Sequence, residues 1–422
     1  MFYKLLSYNA VIVFFKLVSS FIVSKVSAIF LGPSGYALVG NFRNIFQIFV
    51  GITANGFQSG TIRHIAENKN DKFYFSKIVA SIIFFSFCLS VFIGIFLIIF
   101  SNQLSIYAFK TDGFRDIFVY LAVLLPLISL NSIILYIVNG LQKLKSYTVL
   151  VVLYSITNAS LTAVLVYNYN FRGALLAVII VSALTFVISL TLKQVRLIFT
   201  NFLSILKNIS VEIIKSMSTY ILMATYSTIL LSVSYLLIRN NIIKTNGEEV
   251  AGYWEAVNKV SMFYMIFFTS IFTLYLLPKL SVNKTLKGYK AIMSYYFKRL
   301  IPLLLVLFTA LYLVRFFVIK LFLTDAFISI EKYFALQFAG DFMKIIGFSL
   351  AYQFHAKKMV SYYFITDAII YISFYIFSLY FLNSQNLEGV FYAYILSTGL
   401  YLIVVSLVIF TKNKNYLTSD EV

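Results

Sequence analysis

Apolar runs of about 18 residues or more recur along this chain from one end to the other, the signature of membrane-spanning helices. Inside a bilayer every backbone N–H and C=O must find its partner within the protein, and a helix does that within one segment. Twelve such spans fit between residues 5 and 410. The stretch 5–31 is too long for the apolar core of a signal peptide and has no small-residue cleavage site, so it is expected to be a retained first span. With 61% hydrophobic and 12% charged residues and only short loops, the chain has no room for a soluble domain.

The formal net charge of +19 raises nucleic acid as a partner, but the placement of the charges removes it. With the N-terminus inside, most of the 34 Lys and Arg fall in cytoplasmic segments, of which KLSVNKTLKGYK (279–290) is typical. That asymmetry predicts both termini in the cytoplasm. It makes these segments topology determinants first and contacts for anionic membrane lipids second. The longest polar segment, 194–215, has the pattern of an interfacial amphipathic helix. It divides the chain into an N-lobe of six spans over 1–193 and a C-lobe of six spans over 216–410, with a cytoplasmic tail over 411–422. The fold expected is an all-α polytopic membrane protein with 12 transmembrane helices in two pseudo-symmetric six-helix lobes.

A faint internal likeness agrees with two lobes. Gly35, Tyr36 and Asn41 in GYALVGN fall on Gly252, Tyr253 and Asn258 in GYWEAVN at one constant offset. Six spans per half keep the halves parallel, a known transporter plan with the substrate site between them. The lone Cys88 excludes an internal disulfide and reads as a packing residue in the third span. No Gly-x-x-x-x-Gly-Lys-Ser/Thr motif is present, so no nucleotide-driven motor is expected. His64 and His355 are the only histidines and no Cys cluster exists, so neither a metal nor another cofactor is expected. No long outer loop offers candidate catalytic carboxylates. A secondary transporter or channel remains, rather than an enzyme.

Charged residues at mid-span are expensive and face the protein interior or water by default. Lys16, Lys25, Arg43, Lys259, Arg315 and Lys344 are the span cations, and Glu255, Asp341 and Asp367 the span acids. Helical spacing gathers polar residues into stripes. Asn9, Lys16, Ser20 and Ser27 share one face of span one. Asn41, Asn44, Asn55 and Gln58 share one face of span two, with Arg43 on another side. Glu255, Asn258 and Lys259 share a face of span eight, and Gln337, Asp341, Lys344 and His355 a face of span ten. These stripes are expected to line a watery cavity. Lys25 lies near the outer end and can snorkel. Glu255 with Lys259, and Asp341 with Lys344, also have the spacing of intrahelical ion pairs. Lys16 and Arg43 have no acidic neighbour in the spans of their half, which suggests an anionic ligand. Phosphate suits both, Arg through bidentate contacts and Lys as a point charge. The carboxylates of the second half are candidates for carrying a coupling proton.

LGPSGYALVGNFRNIFQIF (31–49), GYWEAVNKVSMFY (252–264), TLYLLPKLS (273–281), LVRFF (313–317) and LQFAGDFMKIIGF (336–348) resemble the Wzx flippases, in the branch that flips the enterobacterial common antigen precursor. The resemblance covers essentially the whole chain. It implies membership of the multidrug/oligosaccharidyl-lipid/polysaccharide exporter superfamily and a MATE-like fold of two six-helix lobes around a central cavity. It implies transport of an undecaprenyl-diphosphate-linked oligosaccharide, of O-antigen or common-antigen type, across the bacterial inner membrane by alternating access. The polysaccharide polymerase and chain-length regulator become candidate partners. Lys16, Lys25, Arg43, Arg315, Asp341 and Lys344 match charged places in that branch. Asp367 stands where a Glu is expected, and Glu255 where a neutral residue is expected, so the glycan stays open. On this reading Lys16, Arg43 and Lys344 hold the diphosphate, while Asp341 and Asp367 carry the coupling proton or cation. Two other classes compete, a drug or cation antiporter of the same superfamily and a membrane glycan polymerase. The excess of span cations over acids speaks against the first, and the short outer loops against the second.

Overall fold

The computed structural model describes residues 2–412 apart from 69, 194 and 197–207. Most of the expected amphipathic linker and of the tail therefore lies outside the described residues. Among the described residues there is no β-strand, and eight helices are long and apolar enough to cross a membrane. Their outward faces carry large apolar side chains, such as Phe92, Tyr380 and Phe410, the last 82% exposed. Such surface is unfavourable in water and costs nothing against lipid.

The N-terminal part holds helices α1 (Phe2–Thr53), α2 (Gln58–Asn68), α3 (Lys72–Ile99), α4 (Ser101–Phe109), α5 (Arg115–Gly140) and α6 (Leu144–Ser189). After the undescribed segment come α7 (Val211–Asn246), α8 (Glu248–Ile271), α9 (Leu277–Val282), α10 (Leu286–Leu313), α11 (Arg315–Phe322), α12 (Phe334–Ala356) and α13 (Val360–Lys412). Three of these are too long for one crossing, and each contains a break. In α1 the break is Gly32, at φ 60°. Glycine takes this left-handed conformation without a Cβ penalty, and Pro33 then restarts the helix with its fixed φ. In α6 the break is Asn170 at φ 46°, and in α13 it is Asn386 at φ 52°. Asparagine is among the few other residues that tolerate this region. The outer loops expected at these places thus shrink to one or two residues each.

The chain divides into two compact units. Unit 1 is Met1–Leu31 with Leu38–Val233, and unit 2 is Gly32–Ala37 with Ser234–Val422. Unit 1 packs an aliphatic core in which Ile65 of α2, Ile78 and Ile82 of α3, and Ile133 and Ile137 of α5 are fully buried. Cys88, expected as a packing residue, is instead exposed on α3.

Unit 2 has an aromatic core. The rings of Phe308 and Phe338 stack at 5.0 Å, and those of Tyr333 and Phe391 at 4.8 Å. The longest seam joins α12 to α13. A Cβ on Gly340 would collide with the ring of Tyr394, and one on Gly347 would press on the ring of Tyr401. Both pairs repeat at seven residues, so two glycines on one helix admit two tyrosines from the other. The two Gly-Tyr openings of the sequence likeness also meet in this unit. Tyr36 and Tyr253 set their rings edge-on to Phe327, at 5.6 and 6.3 Å between centroids.

Candidate functional site

In unit 2 the polar face of α12 closes around Asp341. Its carboxylate is completely buried and accepts four hydrogen bonds. Ser261 donates to Oδ2 at 2.6 Å, Gln337 to the same oxygen at 3.0 Å, and Tyr394 to Oδ1 at 2.6 Å. Tyr264 also donates to Oδ2. The partners come from α8, α12 and α13, so one side chain ties three helices together. Gly340 is what lets Tyr394 approach. The expected ion pair of Asp341 with Lys344 does not form. Lys344, half-buried, instead places its ammonium 5.5 Å from the ring centroids of both Phe348 and Tyr394. The carboxylate is already taken up by four neutral donors, and Tyr394 serves both groups, bonded to the carboxylate at its hydroxyl and presenting its ring to the cation.

Glu255 also differs from expectation. Its partner is Arg239 of α7 rather than Lys259. Arg239 is 1% exposed and sits 5.3 Å from the Trp254 ring centroid. Arg239 is not among the span cations named from the sequence, yet it lies seven residues inside the end of α7 at Asn246. Arg315 pairs with Glu331 at 2.8 Å and also donates to the Tyr312 carbonyl, so it closes the turn beside α11. Asp367 is buried beside Tyr371 and Tyr401. Asn258, expected to line a cavity, is buried and donates to the Trp254 carbonyl at 2.9 Å. Lys259 is half-buried and Gln337 fully committed to Asp341.

Unit 1 has a different character. Lys16 is exposed on α1, with Lys25 half-buried further along. Arg43 and Asn44 are half-buried. Asn41 does not line a surface; it is fully buried and donates to the Ala108 carbonyl at 3.0 Å. Asn55 accepts from the Tyr136 hydroxyl at 2.8 Å, and Gln58 is exposed at the start of α2. Two residues of α6 that the sequence did not single out lie close to the segments that carry these cations. Asn158 donates to Ser19, one turn beyond Lys16, at 3.0 Å. Tyr154, one turn before Asn158, lies within electrostatic reach of Arg43 and hydrogen-bonds Ser182. The same face of α6 therefore meets the segment carrying Lys16 and the segment carrying Arg43. Among the described residues neither cation forms an ion pair, and neither does Lys344. Three or more His, Cys, Asp or Glu side chains able to hold a metal do not gather among the described residues.

The chain is 23% identical over 358 residues to proteins named Lipid III flippase from Escherichia coli strain K12 and from Shigella flexneri, covering 83% of this chain and 84% of each of them. Its fold is similar to that of a multidrug resistance MATE family transporter of the MOP superfamily in an inward-facing conformation. That likeness has a TM-score of 0.74 at 16% identity over 94% of this chain and 96% of the other. The family described as polysaccharide biosynthesis protein matches residues 4–284. A match across that much of the sequence, on an all-helical fold shared with transporters, makes this chain a member of the polysaccharide biosynthesis protein family.

Proposed function

We propose that this chain is a flippase that moves a lipid-linked oligosaccharide across a bacterial inner membrane, with undecaprenyl diphosphate as the carrier lipid. The observation that carries the reading is the likeness over 83% of the chain to proteins named Lipid III flippase. Membership of a polysaccharide biosynthesis family agrees with it. The work is transport without a covalent step. Twelve crossings serve it, six in 1–193 and six in 216–410, joined by the linker 194–215, with both termini and the tail 411–422 in the cytoplasm. The breaks at Gly32, Asn170 and Asn386 support that count, because each divides one long helix into two crossings.

Lys16 and Arg43 hold the substrate diphosphate. Both are cations at membrane depth whose neighbours supply no negative charge, and a diphosphate supplies it. Lys344 offers the same chemistry in unit 2. Lys25, Asn44, Asn55, Gln58, Lys259 and Arg315 contribute to the polar lining. Asp341, with Asp367 in reserve, carries a proton or cation that couples transport to the membrane gradient. One charge moved through 100 mV yields about 2.3 kcal/mol, enough to bias a cycle. The polysaccharide polymerase and chain-length regulator act on the product and are the proposed neighbours.

The test is mass spectrometry of the prenyl-linked glycan in a deletion strain. A flippase defect leaves single repeat units on the carrier inside the cell. Exported single units would instead identify a polymerase, and drug sensitivity with normal glycan would identify an antiporter.

A further inference from the structure

One end of unit 2 concentrates cations that the proposed transport does not use. Lys279, Lys284, Lys287, Lys290 and Arg299 are all exposed there, and Lys357 joins them from the turn between α12 and α13. Between Glu255 and Asp325 the sequence contains no acid, and none stands between Asp341 and Asp367. These two segments thus bring no carboxylate of their own to this end of the unit.

The platform is built rather than loose. The Lys357 ammonium donates to the carbonyls of Ser281 and Asn283, which clasps the α9–α10 loop to the α12–α13 turn. Burial, and then the charge of Lys284, hold that ammonium below the ordinary lysine range. Asn283 donates to the Thr285 carbonyl at 2.8 Å, and the Thr285 hydroxyl caps α10 by accepting from Gly288 N–H at 3.0 Å.

Two of the cations share one aromatic ring. The Arg299 guanidinium lies 3.5 Å from the Tyr295 centroid and donates to the Tyr295 carbonyl. The Lys279 ammonium lies 5.6 Å from the same centroid and 4.2 Å from that of Tyr275, whose hydroxyl accepts from it at 2.8 Å. Two like charges at one ring repel, and an anion between them relieves the repulsion. The same helix face then turns apolar. Arg299, Leu303 and Val306 follow Tyr295 at helical spacing, and Leu303 and Val306 are 45% and 68% exposed. Cations at a tyrosine-lined rim above a lipid-facing apolar strip reproduce the polarity of a phospholipid, headgroup to chain.

We propose that Tyr275, Lys279, Tyr295 and Arg299 form a binding site for the headgroup phosphate of an anionic diacyl phospholipid, its acyl chains lying along Leu303 and Val306 of α10. The site stands independently of what the protein transports.

The test is native mass spectrometry of the purified full chain titrated with phosphatidylglycerol or phosphatidylcholine. Wild type is expected to retain phosphatidylglycerol in preference. Lys279→Gln with Arg299→Gln should weaken that retention about fivefold per cation removed, about 25-fold together. Lys279→Arg should preserve it, which separates lost charge from lost fold. Equal retention of the two lipids by wild type, or equal retention of phosphatidylglycerol by wild type and the double variant, overturns the proposal. Displacement of the bound lipid by soluble glycerol phosphate at comparable concentration also overturns it, because the site would then recognise a free phosphate. The wild-type comparison needs no variant, so a folding defect cannot mask the answer.

Discussion

The two units treat charge at membrane depth in opposite ways. In unit 2 the buried carboxylates of Glu255 and Asp341 meet their complements within the protein. Glu255 has Arg239, and Asp341 has two tyrosines, a serine and a glutamine. In unit 1, Lys16 and Arg43 form no ion pair among the described residues. An apolar medium tolerates an ion only when something stabilises it, so the difference separates two roles. A charge satisfied by the fold holds helices together before it does anything else. A cation whose neighbours carry no negative charge is open to an anion from outside. The sequence already set Lys16 and Arg43 apart by their lack of an acidic neighbour, and the packing adds the partners that Glu255 and Asp341 draw from other helices.

The largest effect should come from breaking the buried pair. Arg239→Met leaves Glu255 without its cation, and uncompensated buried charges typically cost about 3–5 kcal/mol. Arg239→Met combined with Glu255→Leu removes both charges and should recover most of that loss. Thermal unfolding of the purified protein in detergent measures both. If the single variant is as stable as wild type, the charges of unit 2 are not structural and the contrast between the units fails.

A smaller loss is expected at Asp341. Tyr394→Phe keeps the ring against Gly340 but removes one donor to the carboxylate, and a hydrogen bond to a charged group is worth about 1.5–3 kcal/mol. Gly340→Ala should destabilise in the same direction, because the new methyl group forces the Tyr394 ring away. The pair of variants sharpens the comparison through coupling. If both act through the same bond, the double variant should lose less than the sum of the two. Strict additivity would mean that the glycine matters for packing alone.

Much of this was legible in the sequence. Apolar runs of spanning length identified a helical membrane protein, and the isolated charges at 16, 43, 255, 341 and 344 stood out against them. What helical spacing cannot supply is the partner from another helix. Lys259 was the one pairing alternative that a linear reading could offer Glu255, because only its own helix is visible there; Arg239 reaches it from α7. Tyrosine was the other blind spot. The chain has 32 of them, and in a hydropathy reading they count as apolar. In the fold, Tyr264 and Tyr394 carry the hydroxyls that hold Asp341, and Tyr136 donates to Asn55. Tyrosines placed opposite a mid-span acid were the signal that could have found them. The breaks were half legible. Gly32 with Pro33 reads as a turn, but Asn170 and Asn386 look like ordinary polar residues until the backbone shows positive φ.

The smallest effect on stability, and the sharpest test of the contrast, belongs to Lys16. It is exposed and forms no ion pair among the described residues, so Lys16→Gln leaves no partner stranded. Removing a charge from a span also lowers the cost of inserting that helix. Thermal stability should therefore stay within about 0.5 kcal/mol of wild type, as for substitutions away from structural features. Transport should behave in the opposite way. A charge-assisted bond to a diphosphate contributes about 1.5–3 kcal/mol, which corresponds to roughly a 10- to 100-fold loss of translocation in a vesicle assay. Arg43→Gln should fall between the two patterns, because Arg43 is half-buried and lies within electrostatic reach of Tyr154. Lys25→Gln should lose less transport than either, since Lys25 lies toward the helix end. Each alternative has its own reading. Lys16→Gln as unstable as Tyr394→Phe would make Lys16 a structural residue, and the two units would not differ. Lys16→Gln with normal stability and normal transport would remove the diphosphate from unit 1 and leave Lys344 as the remaining candidate.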